Sequence, residues 1–121
     1  MKMRLSLFSL ILFSALVLVA GCHSYHIEAT VQNHTGQPIT LLEVDYPSAS
    51  FGANSLAADA SFHYRFQVRG NGPLSVQYTA GNGRQVQING PQFYERQQGA
   101  LDIVLLPDGK AEFQPHLSEA R

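Results

Sequence analysis

The chain has one cysteine and no tryptophan, and its two methionines, Met1 and Met3, both lie at the extreme N-terminus. A lone cysteine excludes a disulfide within the chain. With no methionine in its body, the chain lacks the thioether ligands that a soft copper(I) site uses. The absence of tryptophan removes the best aromatic platform for a sugar ring. Charge is scarce too, at 14% of 121 residues. Helical periodicity, internal repeats and low-complexity linkers are missing. Long apolar runs are also absent, with one exception at the start.

That exception begins behind Lys2 and Arg4. Leu5 to Ala20 is apolar apart from Ser6, Ser9 and Ser14. A membrane-spanning helix needs about 20 apolar residues; this run is shorter and ends in small residues, the pattern of a secretory signal peptide. Its end, Val19-Ala20-Gly21-Cys22, resembles the lipobox of bacterial lipoproteins. The resemblance implies that the Cys22 thiol carries a diacylglyceryl group, that residues 1–21 are cut away, and that the new amine is acylated. Each buried methylene contributes about 0.8 kcal/mol, so two or three acyl chains give stable anchoring where one does not. The next residue is His23 rather than the Asp that tends to hold such proteins at the inner membrane. In a diderm cell the resemblance therefore favours the outer membrane.

Cleavage changes the charge balance. Lys2 and Arg4 leave with the signal, so six Lys and Arg face nine Asp and Glu, a net −3. A mildly acidic, tethered domain is a poor candidate for nucleic-acid binding. The remaining residues 22–121 form one domain, held by an apolar core alone. Residues 22–24 make a tether that reaches only about 10 Å when extended, which sets the end near Tyr25 against the headgroups.

The rest of the chain alternates with period two. Tyr25, Ile27, Ala29 and Val31 form one apolar phase. Thr40, Leu42, Val44 and Tyr46 form a second, and Phe62, Tyr64, Phe66 and Val68 a third. Leu74, Val76 and Tyr78 follow, then Val86 and Ile88, then Leu101, Ile103 and Leu105, then Ala111 and Phe113. Gly81-Asn82-Gly83 and Pro107-Asp108-Gly109-Lys110 supply hairpin turns. The pattern predicts an all-β domain over 25–114, with about seven antiparallel strands in an immunoglobulin-like sandwich, or alternatively a small β-barrel. Residues 115–121 read as a frayed tail. The expected core comprises Leu42, Val44, Phe62, Tyr64, Phe66, Val76, Tyr78, Ile103 and Leu105. Leu56 to Phe62 faintly resembles the Leu-x-Pro-Gly-Thr-x-Tyr corner of fibronectin type III domains, without its Pro, Gly or Tyr. Thr30 to Tyr78 is similar to small Ig-like domains of uncharacterised secreted bacterial proteins, from which no functional residue carries over.

Residues that could carry chemistry are few. His23, His26, His34, His63 and His116 have no metal-ligand spacing, and exposed or hydrogen-bonded histidines are the plainer reading. Asp59, Ser61 and His63 have the residue types of a hydrolase triad. On a strand, same-face neighbours lie about 6.6 Å apart, whereas a nucleophile and its base need about 3 Å. No Gly-x-Ser-x-Gly elbow is present. Glu43 and Asp45 share a strand face, where a cross-strand partner such as Arg65 explains them better than calcium, which wants six or more oxygens. Asn33-His34-Thr35 matches the glycosylation sequon, in a context where it reads as a chance turn sequence.

Asp45 to Gly52 is the most unusual segment. Tyr46, Pro47, Ser48, Ser50 and Phe51 form a candidate binding loop; alternatively Pro47 ends a strand and Phe51 plugs the core. No catalytic residue, metal or cofactor is assigned. The composite expectation is a non-catalytic envelope lipoprotein, held by its N-terminal lipid and contacting another envelope protein. A module for cell-wall glycan or peptide is the first alternative, with Phe51, Phe93 and Tyr94 lining a groove. A periplasmic metal carrier is the second.

Overall fold

The computed structural model describes residues 25–119; the signal-like segment and Cys22 lie outside them. Eight strands run in order: β1 (Ile27–Asn33), β2 (Ile39–Tyr46), β3 (Ala49–Leu56), β4 (Ser61–Phe66), β5 (Gly72–Thr79), β6 (Gln85–Phe93), β7 (Gln97–Leu106) and β8 (Lys110–Glu119). They form two four-stranded sheets, ordered β4-β1-β7-β8 and β3-β2-β5-β6. The sheets pack face to face as an immunoglobulin-like sandwich, and the described residues form no closed barrel. All pairings are antiparallel except β1 with β7, which is parallel.

The alternation read from the sequence explains most of the packing. Ile27, Ala29 and Val31 of β1 are buried, as are Leu74, Val76 and Tyr78 of β5 and Leu101, Ile103 and Leu105 of β7. These residues join Leu42, Val44, Phe66 and Phe93 in one core between the sheets. Both Gly-rich turns sit where the sequence put them, joining β5 to β6 and β7 to β8.

Four features depart from expectation. In β2 the inward phase breaks at Leu41, which takes φ 54 and is exposed. The β2–β5 register slips between Thr40 and Glu43, a bulge that turns Ile39 inward and Thr40 outward. The chain from Ala49 onward is not a loop but β3, whose register places Phe51 opposite Val44. Tyr64, expected in the core, is 37% exposed. Its strand β4 is an edge, so its ring lies at the open side of the sandwich rather than between the sheets. Finally, the tail is ordered: β8 continues to Glu119 and pairs along its whole length with β7, from Leu106 opposite Lys110 to Gln97 opposite Glu119. Pro115 is accommodated because β8 is an edge strand, where a missing N–H need not interrupt the ladder.

Candidate functional site

The five residues singled out as a binding loop lie on the β2–β3 hairpin. Tyr46 is the last residue of β2, Pro47 and Ser48 make the turn, and Ser50 and Phe51 belong to β3. Phe51 is only 7% exposed. Its ring centroid stands 4.5 Å from that of Tyr64, edge to face, and 5.5 Å from Phe66. Tyr46 lies 4.4 Å from Phe66. Burial, with a smaller contribution from Tyr64, raises the Tyr46 phenol above its ordinary pKa. The two aromatics therefore close the corner between edge strands β3 and β4 instead of presenting a platform. Ser48 and Ser50 remain exposed, and Ser48 Oγ accepts a hydrogen bond from the Arg69 backbone N–H at 3.3 Å.

A shallow hollow of about 370 Å³ flanks this corner, lined by Tyr46, Ser48, Tyr64 and Arg65 among others. Arg65 Nε meets Glu28 Oε1 at 3.4 Å across β4 and β1, with both side chains more than 60% exposed. Such a pair contributes about 0–1 kcal/mol. Arg65 is therefore the partner of Glu28, and not of Glu43, which lies in the other sheet. The guanidinium also approaches His26 Nδ1 at 3.2 Å.

The other sequence candidates are held apart. His63 Nδ1 and Thr30 Oγ1 are 2.9 Å apart, and no hydrogen bond links His63 to Ser61 or Ser50 among the described residues. Asp59 sits in the turn before β4 with φ 63, its N–H bonded to the Asn33 carbonyl. No three His, Cys, Asp or Glu side chains converge on a metal-sized site among the described residues; His23 lies outside them. Phe93 is fully buried while Tyr94 is 53% exposed, so Phe51, Phe93 and Tyr94 do not line a groove. Asn33 of the sequon is fully buried, with its amide consumed by hydrogen bonds. Another hollow, of about 490 Å³, lies among the β5–β6 and β7–β8 turns, where Tyr78, Arg84 and Asp108 contribute to a polar lining.

Sequence reasoning missed the β3 edge. Its segment Ala49-Ser50-Phe51-Gly52-Ala53-Asn54-Ser55-Leu56 carries no charge and no proline. The alternation of Ser50, Gly52 and Asn54 with Phe51 and Ala53 was the available signal, but small residues made it faint.

No family model matches this chain, and no curated protein matches it. An NMR structure of a protein from Eubacterium rectale superposes with a TM-score of 0.56, covering 81% of this chain and 95% of its own at 12% identity. At that identity the likeness concerns the fold.

Proposed function

We propose that this chain is a lipid-anchored, non-catalytic envelope protein whose sandwich contacts another envelope protein. Cys22 carries the lipid, the domain stands outside the cytoplasm, and the outer membrane is its place in a diderm cell. The lipobox-like Val19-Ala20-Gly21-Cys22 supports the anchor. One observation carries the contact reading over the glycan reading: Phe51 and Phe93 are folded into the core, which leaves the exposed Tyr94 without the two other aromatics a sugar groove would need, while β3 leaves a bare strand edge on the surface. An exposed edge is a template for pairing with another chain.

Photo-crosslinking in intact cells, comparing the wild type with Cys22→Ala, tests the reading. The expected result is a discrete crosslinked envelope protein that disappears when the anchor is lost. Cosedimentation of residues 23–121 with purified cell-wall glycan, without any crosslinked protein, would instead establish the ligand-binding alternative.

A further inference from the structure

Four strands end the two sheets, and three of them are guarded. β4 carries Arg65; β6 contains Gly90-Pro91, beside a register slip against β5; β8 carries Lys110, Glu112, Pro115 and Glu119. Charges, prolines and bulges are the devices that keep sheet edges from pairing. β3 has none of them across eight residues. Among the described residues no backbone hydrogen bond reaches it from the side away from β2. Its neighbour across the corner, β4, touches it through aromatic rings.

The surface behind this edge is acidic. Glu43 lies opposite Gly52 and Asp45 opposite Ser50 in the β2–β3 register. Asp45 accepts a hydrogen bond from Gln77 Nε2 at 2.9 Å, whereas Glu43 has no cation beside it among the described residues. The small residues Ser50 and Gly52 leave a shallow hollow of about 400 Å³ over β3, with Glu43 in its wall. A strand added outside β3 would lie about 10 Å from β2, two strand spacings away. A long basic side chain on it can lie across Gly52 toward Glu43.

We propose that β3 is a strand-addition site, taking an extended segment of a partner protein that presents Lys or Arg at alternate, outward-facing positions. The main-chain ladder supplies affinity, and the carboxylates behind it select the charge of the segment. The proposal rests on the contact reading above and names its surface. A second copy of this chain fits less well. Its β3 is uncharged and leaves Glu43 unanswered, and antiparallel self-pairing would turn the two N-terminal ends in opposite directions.

Both sheets and the core lie within Ile27–Glu119, so residues 23–121 serve as the test protein. The probes are a soluble peptide alternating threonine with lysine and its twin with glutamate in place of lysine. Amide hydrogen exchange and amide chemical shifts are followed along the chain. The lysine peptide should slow exchange at residues 49–56, and the glutamate twin should bind about tenfold more weakly, as two like-charge encounters replace two attractive ones. Glu43→Gln should weaken the lysine peptide about two- to fivefold, the range of an exposed charge pair. That difference should fade in high salt. Glu43 is exposed, so this variant keeps the fold. An unchanged β3, protection at β6 or β8 instead, equal binding of the twins, or self-association of the protein through β3 would each overturn the proposal. A crosslinked envelope partner alongside any of those results would leave the contact reading standing through another surface.

Discussion

The Asn33 side chain donates from Nδ2 to the Leu56 carbonyl at 3.1 Å, tying the end of β1 to the end of β3 in the opposite sheet. The same nitrogen lies within hydrogen-bond reach of the carbonyls of Gln37 and Ala57, while Oδ1 accepts from the Thr35 N–H and hydroxyl. Among the described residues Asn33 is the buried polar residue, with no exposed surface. Asn33→Ala should cost about 2–4 kcal/mol, because several main-chain groups lose their partner where water does not readily replace it. Thr35→Val, which removes one hydroxyl at the rim, should cost about 1 kcal/mol. Urea titration of both variants checks the order.

Phe66 and Tyr64 share the inward phase of β4 in the sequence, and they separate in the structure. Phe66 is 4% exposed and packs, tilted or edge to face, against the rings of Tyr46, Phe51 and Phe93, whereas Tyr64 is 37% exposed. Phe66→Ala should cost about 3–5 kcal/mol, the range for a buried phenylalanine. Tyr64→Ala should cost clearly less, since it loses an edge-to-face contact worth about 0.5–1.5 kcal/mol and only part of its burial. Equal losses would place Tyr64 in the core after all.

Those two residues also mark how far the sequence could be read. Period two identifies which residues share a face, so Val44, Val76, Ile103 and Leu105 were legible as core. It does not identify which strands end a sheet, and so it could not tell Tyr64 from Phe66. Nor does it announce a bulge. Leu41 at positive φ shifts the phase of β2, a conformation that a leucine gives no local reason to expect. The candidate loop was legible as unusual because of Tyr46, Pro47 and Phe51, yet its second half is a strand. Small residues in β3 bury little area, and the hydrophobic pattern that signals a strand was correspondingly weak. The length of β8 was hidden by Pro115, a residue that argues against strand unless the strand is known to be an edge.

Gly52 is a backbone requirement beside the proposed strand-addition site. A Cβ built there would stand against the Leu42 carbonyl oxygen, a main-chain atom that cannot swing aside. Gly52→Ala should destabilise by about 1–3 kcal/mol, as overpacking does. Gly72→Ala is the control: its Cβ would meet only Pro47 side-chain carbons, nearest 3.4 Å. The control should be close to neutral in thermal unfolding.

Alkaline stability should carry the signature of two tyrosines. Burial raises the phenols of Tyr46 and Tyr78 above the ordinary value of 10.0. A folded-state pKa raised above the unfolded one favours the neutral phenol. The stabilising contribution is thus fully present below the ordinary value and is lost as pH rises through the folded one. Unfolding free energy should fall above pH 10, and the Tyr46→Phe, Tyr78→Phe double variant should flatten that fall. An unchanged alkaline slope in the double variant would assign the loss to other groups.

The anchor is the claim on which the cellular role depends, and intact-mass spectrometry of the protein purified from membranes tests it most directly. The account predicts a mature chain that begins at Cys22, with its mass raised by a diacylglyceryl group and an amide-linked acyl chain, and a Cys22→Ala protein that keeps residues 1–21 and takes up no labelled fatty acid. An unmodified Cys22 in a membrane-bound protein, or normal cleavage and membrane retention of Cys22→Ala, would contradict it.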